Sequence, residues 1–203
     1  MKADLERLIE DNEKILYEGK PNKICFLFES IFNPMMPIAL LWAIIDFGVI
    51  GGTISNMESK EIFSILIPFM LLHLMPVWIY LGGVLFTYRK YRNTYYIVTD
   101  SGIYASGGAF VRTYNHKPFA ELSHVDLHRG IFDQIFNVGD VVITSNQLTY
   151  DNKNDSIIIS SISNYMEVYN LVKKLQKDIY SDVMYPNDKR PSENHGYNTK
   201  YKG

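Results

Sequence analysis

The chain has 203 residues, with 20 Lys and Arg against 22 Asp and Glu, a formal charge of −2. That length suits one ordinary domain plus a further segment such as a membrane anchor, and the near-neutral balance argues against nucleic acid as a partner. The single cysteine, Cys25, excludes an internal disulfide framework and any multi-cysteine metal site.

Residues 1–31 read as an acidic, amphipathic start. Between Ala3 and Tyr17 a predicted helix carries Leu5, Leu8, Ile9, Ile15 and Leu16 on one stripe, opposite Asp4, Glu6, Glu10, Asp11 and Glu13. Anionic lipid would repel that acidic face, so docking onto the downstream domain or a partner is the expectation. The acidic segment is also unlike the short basic start of a signal peptide.

Residues 32–88 hold two apolar runs, Pro34–Gly52 and Ile62–Phe86. A spanning helix needs roughly 20 apolar residues to cross a core of about 30 Å. The second run has no Asp, Glu, Lys or Arg and fifteen Leu, Ile, Val or Phe residues. On the insertion scale these favour the membrane by about 5 to 9 kcal/mol, against about 2 to 5 kcal/mol for the first run. Asp46 would cost the first run about 2.5 to 3.5 kcal/mol, so insertion as a hairpin with the second is expected. A buried helical hairpin in a soluble protein is the alternative. Lys20 and Lys23 precede the pair, Arg89, Lys90 and Arg92 follow it, and the intervening loop offers only Lys60. The positive-inside rule then predicts a multi-pass inner-membrane protein with both termini cytoplasmic.

Asp46 and His73 form the candidate intramembrane polar site. Their depths differ by roughly 7 Å at about 1.5 Å per residue, so pairing needs side-chain reach or a helix offset, and a packing role is the simpler reading. Gly48 and Gly52 have GxxxG spacing, a weak helix-association signal near a helix end. Arg89, Lys90 and Arg92 are candidate contacts for anionic headgroups, each worth about 1 kcal/mol, beside their role in fixing topology.

Residues 89–180 change to a β pattern. Strands are predicted at Thr94–Thr99, Ile103–Ser106, Phe110–Tyr114, Glu121–Arg129, Val141–Ser145 and Ser156–Ile162, with turns at Asp100-Ser101-Gly102, Gly107-Gly108 and Gly139-Asp140. In the fourth strand Val125 and Leu127 oppose His124, Asp126 and His128. A helix follows, with Tyr165, Val168, Tyr169, Val172, Leu175 and Ile179 on one face and Asn164 and Glu167 spaced as a capping box. Residues 181–203 are polar, without an apolar period, and read as a disordered tail.

Three stretches carry a family resemblance. They are Ile15-Leu16-Tyr17-Glu18-Gly19-Lys20-Pro21, then Tyr95-Tyr96-Ile97-Val98-Thr99-Asp100-Ser101-Gly102-Ile103. The third runs from Leu122-Ser123-His124-Val125 through Ile131-Phe132-Asp133-Gln134-Ile135-Phe136-Asn137-Val138-Gly139-Asp140-Val141. Their order behind a helical hairpin resembles the bacterial pleckstrin-homology-like (PH-like) membrane proteins. The resemblance implies an α+β fold: an N-terminal two-helix transmembrane hairpin, then a PH-like bent β-barrel or sandwich closed by a C-terminal helix. It implies no catalytic residues. Eukaryotic PH domains that bind phosphoinositides use a basic first hairpin, and the corresponding turn here, Asp100-Ser101-Gly102, offers an acid, which argues against such binding.

Other site chemistry is sparse. His124 and His128, four apart on a strand, are separated by about 13 Å, too far to share one metal ion at about 2 Å. His116 lies upstream, and an exposed polar face is the better reading. No phosphate loop, nucleophile elbow or HExxH motif occurs, and nothing beside Cys25 suggests an activated thiol. The expectation is therefore no catalytic, metal or cofactor site. The predicted role is a non-enzymatic interaction or assembly module integral to the lipid bilayer, engaging a membrane-protein partner or a second copy. The alternative is a subunit of a transport or channel complex that uses Asp46 and His73.

Overall fold

The structure, a computed structural model, describes residues 2–55, 68–148 and 154–184. The chain divides into two compact units, residues 27–89 and the remainder, so the first 26 residues fold with the C-terminal part.

In the larger unit the elements are α1 (Lys2–Glu6), β1 (Ile15–Gly19), the start of α2 (Lys23–Ile31), β2 (Tyr95–Thr99), β3 (Gly102–Gly107) and β4 (Thr113–Pro118). A 3₁₀ turn at Phe119–Glu121 leads to β5 (Leu122–His128), the short helix α5 (Ile131–Ile135), β6 (Gly139–Leu148), β7 (Asn154–Ile162) and the helix α6 (Tyr165–Met184). The strands form two antiparallel sheets, β1-β2-β3-β4 and β5-β6-β7. One core joins both sheets and the helix: Tyr96, Val98 and Ile103 from the first, Val141, Ile143, Ile157 and Ile159 from the second, and Val168, Val172 and Leu175 from α6. Among the described residues this is a two-sheet sandwich closed by a helix; the barrel alternative is not seen, because each sheet keeps its own edges.

The opposite face of the first sheet is covered too. Leu5 is fully buried against Tyr95, Ile97 and Tyr104, with Ile9 packed beside it. With both faces covered, every residue of β2 is buried, which is why TYYIVT has no polar alternation.

The predicted helix over Ala3–Tyr17 is corrected. Only Lys2–Glu6 is helical, and Ile15–Gly19 is a strand paired with β2 through Ile15↔Thr99, Glu18↔Ile97 and Gly19↔Tyr96. The β-branched and aromatic residues of Ile15–Tyr17 gain a ladder and a core that a solvent-facing helix could not supply. The third predicted strand also shifts, from Phe110–Tyr114 to Thr113–Pro118. As β1 precedes it, the Asp100-Ser101-Gly102 turn joins the second and third strands, not the first hairpin of the fold. Asp100 has a backbone task there: its carboxylate accepts the Lys14 N–H at 3.0 Å, and its own N–H donates to the Lys14 carbonyl at 3.1 Å.

The smaller unit is helical. Asn33 accepts the Met35 N–H at 2.8 Å and is followed by Pro34, a favourable start for α3 (Met35–Ser55). Helical residues 68–73, a turn at Leu74 and α4 (Met75–Asn93) follow. Inside this unit Tyr80 donates to the Ile31 carbonyl at 2.8 Å, and the hydroxyls of Ser30 and Thr87 lie 2.6 Å apart. The window Met35–Gly52 is long and apolar enough to cross a membrane and only 11 % of it is buried; among the described residues it is the one such helix. Residues 62–67 of the second predicted span lie outside the described residues, as do residues 185–203 of the predicted tail and the loop containing Lys60; the first four residues of that tail, 181–184, instead continue the helix α6.

Candidate functional site

The helical unit brings Asp46 and His73 together: His73 Nδ1 lies 2.9 Å from Asp46 Oδ1. Helical period builds the surroundings. Trp42 sits one turn before Asp46, and Phe69 one turn before His73. The Trp42 indole donates to the His73 carbonyl at 2.8 Å, and its ring centroid is 5.3 Å from the imidazole. Phe69 stacks on the imidazole at 5.1 Å. Asp46 is only 4 % exposed on a mostly exposed helix, where Ala39 is the other buried residue among those described, and its Oδ2 is buried with no hydrogen-bond partner among the described residues. One carboxylate oxygen is thus committed to an imidazole and the other is an acceptor unused among the described residues, an arrangement able to hold or pass a proton or take a further donor.

Trp42 and Trp78 have no site role by sequence spacing alone. Both nevertheless satisfy backbone near the helix break, since Trp78 donates to the Leu71 carbonyl at 3.1 Å. A donor-bearing aromatic four residues from an acid in an apolar run was the available signal. A Cβ at Gly48 or Gly52 meets nothing within 4 Å among the described residues.

Arg89, Lys90 and Arg92 are all exposed at the end of α4, and Lys90 Nζ lies 5.9 Å from the Phe26 ring centroid. The histidines of the sheets part company. His116 stacks on Tyr104 at 4.2 Å, while His124, Asp126 and His128 are exposed in alternation with the half-buried Val125 and Leu127. His128 instead groups with Asp133 and Asp140, their potential ligand atoms lying within 4.8 Å of one another. Both carboxylates are already engaged by the fold. Asp133 accepts the Gly130 N–H at 2.8 Å, which caps α5, and the Cys25 thiol at 3.5 Å. Asp140 accepts the Ser161 N–H at 2.7 Å. Burial pushes the Asp140 carboxyl above its usual range; the Asp133 carboxylate adds to this, against the Ser161 N–H and His128. Sequence spacing missed this grouping because it depends on α5 folding back between β5 and β6.

Two sheets sharing a core with one closing helix define a PH-type module, here with a long helical segment between its first and second strands. The profile of the family described as Bacterial PH domain matches residues 37–176, more than half of the chain, and the chain belongs to that family. No curated protein and no solved structure matches it.

Proposed function

We propose that this protein is a two-span membrane protein that holds its PH-like domain at the inner face of the cell membrane as a non-enzymatic interaction and assembly module. The observation that carries the topology is the pairing of Gly19 with Tyr96. The whole segment 20–94 leaves and rejoins one sheet at facing positions. If Met35–Gly52 crosses a bilayer, the chain must cross back before Tyr96, and the apolar run Ile62–Phe86 is the stretch suited to it. The basic residues at both flanks favour the cytoplasmic side for the folded domain. For the interaction role, the support is the edge strand β4. Its residues Thr113–His116 are exposed, which suits strand addition by a membrane-protein partner or a second copy.

Topology is tested with an impermeant thiol reagent on intact cells, using Ser59→Cys and Ser192→Cys. Labelling at 59 before lysis and at 192 only after it is expected; the reverse, or extraction of the chain at alkaline pH, overturns the reading. A photo-crosslinker at Asn115 should give discrete protein adducts in membranes, and a reference at Lys174 should not. Equal adducts at both positions would remove β4 as the recognition edge.

The Oδ2 of Asp46, without a partner among the described residues, favours a second reading, a transport or channel subunit. Loss of ion or solute flux in the Asp46→Leu, His73→Leu double variant, with assembly intact, would establish it.

A further inference from the structure

Between β3 and β4 the chain turns through Gly108-Ala109-Phe110-Val111-Arg112. Gly108 has φ +102°, and a Cβ there would run into the Val111 carbonyl, so the turn requires glycine. The turn carries its apolar residues outward: Phe110 is 69 % and Val111 73 % exposed. Scattered exposed apolar residues are ordinary, but two in succession at a rigid hairpin tip are a directed feature.

Its position is fixed by the end of α4. Asn93 Nδ2 donates to the Gly108 carbonyl at 2.8 Å, and Ser106 Oγ donates to the Asn93 carbonyl at 3.0 Å. Asn93 lies seven residues beyond Phe86, where the apolar run ends. At about 1.5 Å per residue that is about 10 Å, a few ångströms more than the roughly 5 to 8 Å of one headgroup layer.

We infer that residues 108–112 form a lipid-contacting wedge, with Phe110 and Val111 entering the headgroup–acyl boundary of the leaflet from which α4 emerges. The inference rests on the two-span reading. The bilayer is the occupant because the tip is clamped to a helix end that the same bilayer must border. The contact is apolar in character. Arg112 is exposed beside the tip, but Asp4 lies within its electrostatic reach, so little net charge is left to read anionic headgroups.

The full chain is reconstituted in bilayers of zwitterionic lipid and in bilayers enriched in anionic lipid. Cys25 is fully buried, so an environment-sensitive thiol label is placed through Phe110→Cys, Val111→Cys, or Lys174→Cys as reference. Spin-labelled lipids then quench the label, while Trp42 emission, isolated by a Trp78→Phe background, reports the apolar helix. The expected result is a blue shift and several-fold stronger quenching at 110 and 111 than at 174, equal in both lipids. Similar quenching at all three positions with Trp42 quenched overturns the wedge and leaves the two-span reading standing. Absence of Trp42 quenching overturns both. Quenching at the tip only in anionic bilayers overturns the apolar wedge in favour of a charge contact through Arg112.

Discussion

The His73 imidazole meets the Asp46 carboxylate at 2.9 Å although 27 positions separate them in sequence. Removing His73 alone strands a buried carboxylate, whereas removing both partners leaves only apolar surface. His73→Leu is therefore expected to destabilise the protein in detergent by about 1–3 kcal/mol. The double variant Asp46→Leu, His73→Leu should cost less than His73→Leu alone. Thermal unfolding followed by circular dichroism checks the order, and a double variant worse than the single one would contradict it.

Asp133 ties three parts of the chain together. Its carboxylate takes the Gly130 N–H and the Cys25 thiol, and its carbonyl takes Arg129 Nη2 at 3.3 Å. Asp133→Ala leaves the Gly130 donor without its cap and should cost about 1–3 kcal/mol. Cys25→Ser keeps a donor beside the carboxylate and should cost clearly less. Urea midpoints at unchanged slope measure both.

Burial, followed by the neighbouring phenols of Tyr96 and Tyr95, pushes Tyr17 up to about 12. The folded state holds the phenol proton more tightly than the unfolded state, whose value is about 10. The stability from this group is therefore complete below pH about 10 and is lost as pH rises through about 12. Tyr17→Phe should flatten alkaline unfolding in that window and leave neutral and acid behaviour unchanged in its pH slope. Denaturation midpoints across the alkaline range, with phenolate absorbance as the titration signal, check the sign.

Leu5 is fully buried on the outer face of the first sheet, against Tyr95, Ile97 and Tyr104. Leu5→Ala should cost about 2–5 kcal/mol, toward the low end because an N-terminal helix can settle into the space. Leu8, on the same predicted stripe, is 51 % exposed, and Leu8→Ala should cost under about 0.5 kcal/mol. A large effect at Leu8 would restore the long N-terminal helix.

Much of the sandwich was legible from short periods. The alternation around Val125 and Leu127, the buried run of β2 and the face Tyr165–Ile179 of α6 are set by neighbours within a few residues. The first strand was not legible, because Ile15–Gly19 fits a helical stripe as well as a strand, and only its ladder with residues 96–99 decides between them. Asp46 and His73 were legible as polar residues in apolar runs, but not as a bonded pair. Their contact depends on the turn at Leu74 and on Trp42 and Phe69 closing around the imidazole.

By itself the amino-acid order determined which stretches shun water, which prefer extended backbone, and where one amphipathic helix closes the fold, since these follow from side-chain chemistry and local spacing. Tertiary structure alone decided that Gly19 faces Tyr96, that Asn93 holds Gly108, and that Cys25 meets Asp133. Those contacts join residues 15 to 108 positions apart, where the free energy of closing a loop and burying a shared surface, and not local preference, selects the partner.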